Sequence, residues 1–301
     1  MLVEPSHVLA VLGLGPETPF EVEPFGGAPG SPVRFAAGGR VVIVRRPYDD
    51  TAAMNHAAVS EALARTGYPY VPRLLGFAGD ATLEEEVPGA SALQVVPLPG
   101  AAEAAMRALA ALHSLTVVEG LDWGNHPGDL FPGEDVPLHR LGFASGEREA
   151  AAPHLVAGRD ALLVSPFGFA PREATAANVL LGQGQAWLVN FASSGYGPQL
   201  WDVAAFLLTS GIEAPGRRAL AAAYAAARGT DPTATIDQVD LLGISWGIRE
   251  LLGLPRRLIE SLGDDAAVAA LRLAASRIEA GLRAPAGDSP IAGKIRAALW
   301  G

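Results

Sequence analysis

The sequence predicts an α+β protein of two lobes: a small antiparallel β-rich lobe with a hinge strand over residues 1–88, and a larger, mainly helical lobe over residues 89–301. Three observations predict this. Short apolar runs punctuated by glycine and proline fill residues 20–46, the pattern of strands joined by tight turns. A single helical segment over residues 50–66 separates them from a further strand-like run at 82–87. Beyond Ala101 the pattern is helical, with long Ala/Leu-rich stretches at 201–228 and 236–283.

Each element has its own local signal. Gly26, Gly27, Pro29 and Gly30 interrupt the first pair of strands, and Gly38-Gly39 makes a hairpin turn into Val41-Val42-Ile43-Val44. Asp50 or Thr51 caps the helix, which runs to Arg65 and stops at Gly67. Thr82-Leu83-Glu84-Glu85-Glu86-Val87 reads as a strand that ends at Pro88-Gly89. Met106, Leu109, Ala110 and His113 recur at helical spacing. Strand-like runs are expected at 161–164, 179–181 and 186–191, and Pro285 to Pro290 as a surface loop.

Composition narrows the function classes. Half of the 301 residues are hydrophobic and 18% are charged, with a net charge of −10 and Lys294 as the only lysine. So acidic a chain has no electrostatic footprint for nucleic acid or anionic lipid. Cysteine is absent, which excludes disulfides and thiolate chemistry. Met1 to Gly15 carries Glu4 but neither lysine nor arginine, unlike a secretory signal, and no apolar run approaches the ~20 residues of a membrane span. The expectation is a cytoplasmic protein without membrane partners.

Several segments together resemble the aminoglycoside phosphotransferase and choline-kinase-like family, over nearly the whole chain. Val41-Val42-Ile43-Val44-Arg45-Arg46-Pro47 is similar to the family's third strand, and Gly67 to Pro72 to the segment after its first helix. Glu85-Glu86-Val87-Pro88-Gly89 resembles the hinge, and Arg107 to His113 the helix that ends in a leucine-histidine pair. Asn178-Val179-Leu180-Leu181 resembles the end of the catalytic loop. Asn190-Phe191, Gly197-Pro198 and Trp201-Asp202-Val203-Ala204 resemble the metal-binding strand end and the segment after it. The resemblance implies a bilobal protein-kinase-like fold, ATP with magnesium as cofactors, and a small-molecule ligand in the cleft between the lobes.

Phosphoryl transfer needs cations on the phosphates, carboxylates on the magnesium ions and an acceptor for the substrate's hydroxyl proton. By resemblance, Arg45 meets the phosphates, Glu86 and Val87 line the nucleotide at the hinge, and Asn178 and Asn190 occupy the metal positions. The pattern departs from the family at three places. The helix glutamate that should hold Arg45 is His56, which shares a helix face with Val59 and Leu63 and points inward. The family's metal-binding aspartate is Asn190, whose amide brings no charge to a divalent ion. The His-Gly-Asp tripeptide is missing: counting back from Asn178 lands on Pro171-Arg172-Glu173, and counting forward from 161–164 lands on Ser165-Pro166-Phe167. Glu173 offers the same proton-accepting chemistry on a longer arm. The glycine-rich turn at 26–31 could approach a phosphate, though Pro29 removes one N–H from such a cradle.

Gly243-Ile244-Ser245-Trp246-Gly247 matches the nucleophile elbow of serine hydrolases. That elbow needs a strand before it and a histidine after it, whereas the last histidine is His154 and a helical apolar stripe runs through the motif. The six histidines are scattered and make no zinc motif. The residues support three readings. One is a catalytically impaired family member that keeps the cleft as a small-molecule site and binds ATP and magnesium weakly or not at all. Another is an active phosphotransferase using Arg45, Glu173 and Asn178. The third is a scaffold whose helical lobe is a partner or homodimer surface.

Overall fold

Alternation along the first strands sets the architecture of the small lobe. Phe35 and Ala37 project to one side, with Val42, Val44 and Leu83, and form an apolar cluster that Val8, Leu9 and Leu12 complete. The opposite side carries Arg34, Ile43, Arg45, Thr82 and Glu84 and faces the rest of the molecule. The computed structural model describes residues 3–24, 32–47, 49–87, 89, 91–92, 99–115, 137–182 and 184–301. The glycine-rich turn at 26–31 lies outside them.

The lobe is a five-stranded antiparallel sheet of order β1-β2-β3-β5-β4. Its strands are β1 (Phe20–Pro24), β2 (Val33–Ala37), β3 (Arg40–Arg45), β4 (Leu74–Ala78) and β5 (Ala81–Glu85). A short helix unforeseen from the sequence, α1 (Pro5–Val11), covers the apolar side. Gly38 and Gly39, both at positive φ, close the β2–β3 hairpin as expected. Helix α2 (Asp50–Thr66) occupies the other side. Its cap is Asp49 rather than Asp50 or Thr51: Asp49 is extended and accepts the Ala52 N–H at 2.8 Å. Gly67, at φ 67, ends the helix.

Beyond the hinge come β6 (Ser91–Ala92), α3 (Pro99–Leu112), α4 (Ser145–Ala161), β7 (Phe167–Ala170), β8 (Val179–Gly182), β9 (Gln185–Leu188) and β10 (Gly195–Pro198). The C-terminal helices are α5 (Leu200–Thr209), α6 (Ala214–Arg228), α7 (Pro232–Glu260), α8 (Asp265–Arg283) and α9 (Pro290–Trp300). Several expectations are corrected. Residues 161–164 form no strand: Ala161 ends α4, and a 3₁₀ turn takes Leu162–Val164. The stretch 201–228 breaks after Thr209 near Gly211, at φ 75, and 236–283 breaks at Gly263, at φ 97. Apolar periodicity persists across both breaks, which is why the sequence reads as continuous helix. Ser245 is buried inside α7, so the elbow motif is helix interior.

Two small sheets carry the loops that matter. β7 pairs with β10, and β8 pairs with both β6 and β9. The segment 171–178 therefore connects β7 to β8, and Asn190 lies between β9 and β10. One large apolar core runs from Val59, Ala62 and Leu63 of α2 through α3 to α5–α9. The Tyr68 hydroxyl donates to the Ala108 carbonyl at 2.7 Å, and the Leu188 N–H donates to the Tyr70 carbonyl at 2.7 Å, joining the lobes. No described helix is long and apolar enough to cross a membrane.

A buried ion pair pins the C-terminal helix. Arg296 grips Asp240 in a two-pronged contact at 2.6 and 2.8 Å, and donates from Nε to the Leu282 carbonyl at 2.7 Å. Asp240 also accepts the Ala286 N–H at 3.0 Å. Asp240→Asn leaves Arg296 buried without its counter-charge, so it should lower the unfolding free energy by about 3–5 kcal/mol in urea titration. A loss below ~1 kcal/mol would count against this pair as a staple of the fold.

Candidate functional site

Between the small-lobe sheet and helix α2 a buried carboxylate organises its surroundings. Glu84, on the inner side of β5, receives three contacts on one oxygen: Arg45 Nε at 3.4 Å, His56 Nε2 at 3.1 Å and the Thr82 hydroxyl at 3.1 Å. Leu83 points into the small-lobe core, so strand alternation sends Glu84 the other way, beside Arg45 of the neighbouring strand. Burial pushes the Glu84 carboxyl up, but the Arg45 charge, the His56 hydrogen bond and the Thr82 hydroxyl together outweigh it and hold it at about 2. His56 does not replace the missing acid on α2, yet Arg45 does not lack one. The expectation that Arg45 would have no carboxylate partner is therefore corrected.

Helix α2 is latched to the segment after Asn190 by uncharged groups. His56 Nδ1 accepts the Phe191 N–H at 3.1 Å, which fixes the tautomer: its Nε2 carries the proton and donates toward Glu84. Asn55 donates from Nδ2 to the carbonyls of Phe191, Ala192 and Ser194 at 3.3, 2.8 and 2.9 Å. A continuous series of contacts thus runs from Arg45 through Glu84 and His56 to the Phe191 N–H, next in the chain to Asn190.

The loop 171–178 is shaped from beneath. Asp202, fully buried, accepts from His113 Nε2 at 3.3 Å and from the Ala174 N–H at 3.3 Å, and the Tyr224 hydroxyl meets His113 Nδ1 at 2.8 Å. Burial pushes the Tyr224 phenol up, so it stays a neutral donor. Thr209 Oγ1 accepts the Ala176 N–H at 2.8 Å. Arg172 adopts φ 64, a left-handed conformation that suits glycine. Pro171, Arg172 and Glu173 lie on the connection between β7 and β8, whereas Pro166 and Phe167 lead into β7.

Glu173 and the two asparagines come together here. The Glu173 carbonyl accepts from Asn178 Nδ2 at 2.7 Å, and Asn178 Oδ1 accepts from Asn190 Nδ2 at 3.3 Å. The Glu173 side chain is exposed on its open side, with protein packed behind it. That packing pushes its carboxyl above the ordinary range, and Glu250 and Asp202 add to the rise. A hydrogen bond from Ser193 and the charge of Arg257 oppose it, and access to solvent tempers it. Glu250 and Arg257 are themselves paired at 2.7 Å on α7.

As a magnesium site the pair Asn178–Asn190 fits poorly. It offers neutral amide oxygens, one already accepting from the other residue, and a hard divalent ion needs carboxylate charge. Among the described residues no group of three His, Asp or Glu side chains stands where a metal could be held. At the end of β5 and just beyond it, three consecutive glutamates each meet a different arginine. Glu84 meets Arg45, Glu85 meets Arg73 at 3.0 Å, and Glu86 meets Arg34 at 2.7 Å, while Val87 comes next, half-buried.

The low Glu84 value has a testable sign. A carboxylate held below its ordinary 4.5 stabilises the fold above that pH, and this support is lost as pH falls toward about 2. The stability gap between the wild type and Glu84→Gln should therefore be flat above about pH 5 and shrink below it by up to ~1.4 kcal/mol per pH unit. Urea unfolding at pH 7, 4 and 3 reads it, and an unchanged gap at pH 3 counts against an ionised Glu84.

Comparison with known proteins gives this geometry a context. The sequence matches the phosphotransferase enzyme family over residues 24–242. No curated protein matches it. A choline/ethanolamine kinase family protein from Mesorhizobium loti aligns with a TM-score of 0.60 at 20% identity, over 92% of this chain and 92% of that one. An aminoglycoside phosphotransferase from Alicyclobacillus acidocaldarius aligns at 0.58 and 16%, over 91% of both chains. The choline kinase LicA of Streptococcus pneumoniae in complex with AMP aligns at 0.55 and 17%, over 92% of this chain and 97% of that one. These structures share the protein-kinase-like fold. With a matched span that runs from β1 through Glu173 and Asn190 into α7, the chain belongs to the phosphotransferase enzyme family, as a divergent member.

Proposed function

We propose that this protein is a catalytically impaired phosphotransferase that keeps the cleft between its lobes as a small-molecule site and binds ATP weakly. The observation that carries this reading is the contact between Asn178 and Asn190, two neutral amides where the reaction needs charge on a divalent ion. The family uses ATP, and the solved complex of LicA with AMP is consistent with a nucleotide as the cleft's ligand. Arg45, fixed by Glu84, is the phosphate contact in this reading, and the backbone at Glu86 and Val87 lines the nucleotide base. A cytoplasmic setting belongs to the same reading, because nucleoside triphosphates are met there.

A second reading, an active phosphotransferase for a small hydroxylated acceptor, is favoured by one observation. Glu173 stands beside Asn178 on a loop held by Asp202, with its carboxyl raised above the ordinary range. A more basic carboxylate there is better suited to take the acceptor's hydroxyl proton at neutral pH. In that reading Glu173 is the base, and Arg45 steadies the transferring phosphoryl group.

Asn190→Asp separates the two readings. Asn190 adopts φ 66, which aspartate tolerates as well as asparagine, so the substitution adds charge without backbone strain. In a thermal-shift titration with ATP and magnesium it should tighten binding by about tenfold or more, ~1.4 kcal/mol. Binding without magnesium should not improve. Turnover should be undetectable in the wild type and in Glu173→Ala. Robust wild-type turnover abolished by Glu173→Ala would overturn the impaired reading in favour of the second.

A further inference from the structure

We propose that Glu84 is the positioning carboxylate for Arg45, supplied from strand β5 instead of helix α2, and that His56 carries this position across to the backbone of Phe191. The inference deepens the reading of Arg45 as a phosphate contact, and one of its two measurements is independent of that reading.

The contacts divide the labour. Arg45 engages Glu84 through Nε alone, and among the described residues neither of its terminal nitrogens donates to protein. The guanidinium is thus held at its inner edge, and its outer edge is left to an anion, the fork geometry in which arginine grips phosphate. His56 is almost fully buried and has one donor and one acceptor nitrogen. The Phe191 N–H can only donate, so Nδ1 is the acceptor and Nε2 is the donor, with Glu84 Oε1 and Thr82 Oγ1 both at 3.1 Å. A displacement of Glu84 is therefore felt both at Arg45 and at the residue next to Asn190. Thr82 completes the set by donating to the same oxygen of Glu84 or to the Arg45 carbonyl.

An acid on a strand and an acid on a helix should be interchangeable if the role is to hold Arg45. In His56→Glu combined with Glu84→Gln, the new carboxylate comes from the position where His56 Nε2 now lies, 3.1 Å from Glu84 Oε1. That restores a negative charge to the pocket from the other side.

The experiment tracks the Arg45 Nε–H resonance in the full chain, identified by its loss in Arg45→Lys. In Glu84→Gln its exchange with solvent should quicken by about tenfold or more, the loss of a charged hydrogen bond, and the double variant should slow it again. In parallel, calorimetric titration with ATP in EDTA should show binding about tenfold weaker in Glu84→Gln and largely recovered in the double variant. An unchanged Nε–H in Glu84→Gln, or a double variant no better than the single, overturns the assignment. If Glu84→Gln does not fold, a folded double variant with a protected Nε–H supports it, and an unfolded one overturns it. Wild-type protein that does not bind metal-free ATP overturns the nucleotide reading, and the resonance then decides the role of Glu84 on its own.

Discussion

A single ionised carboxylate inside the protein constrains the arrangement of both lobes. Isolated, Glu84 would be driven to its neutral form by loss of water. It stays charged because Arg45, His56 and Thr82 converge on it, and each arrives from a fixed place: a neighbouring strand, the facing helix and its own strand. The demand for satisfaction propagates outward. Holding Glu84 fixes the protonation of His56, this fixes which backbone group His56 can meet, and that fastens α2 to the segment after Asn190.

The larger lobe contains a comparable device with another outcome. Asp202, His113 and Tyr224 form a buried polar chain whose free end, one oxygen of Asp202, grips the backbone beside Glu173. Each device fixes a backbone segment: Phe191 beside Asn190 in one case, Ala174 beside Glu173 in the other.

The fold is legible in the sequence because turn glycines, capping residues and apolar periods act locally. Gly38, Gly39 and Gly67 stop elements where their φ requires it, and the helical stripe through Ser245 is enough to set the elbow motif aside. The failures have local causes too. Leu162, Leu163 and Val164 form a short apolar run that periodicity alone reads equally as strand or helix, and here it continues α4 as a 3₁₀ turn in which only Leu162 is buried. Glu84 escapes a search for an acid on the helix, because such a search ties a role to one position. In a run of three glutamates, period-two alternation already sends the one after Leu83 inward. Asn55 leaves no comparable mark: its three carbonyl partners lie well over a hundred residues away in the chain, and no local pattern encodes them.

The latch between α2 and residues 191–194 has a consequence for the surroundings in which the lobes hold together. It consists of an amide and a neutral imidazole meeting backbone groups, with no exchange of net charge. Dissolved ions screen exposed pairs such as Arg73 with Glu85 within about a Debye length, ~8–10 Å at ordinary ionic strength, but they have little purchase on buried neutral dipoles. A helix tied to its partner lobe by an exposed lysine and glutamate would loosen as a cell's salt content rose. In this chain, the closeness of α2 to the cleft is insulated from the ionic composition of the medium.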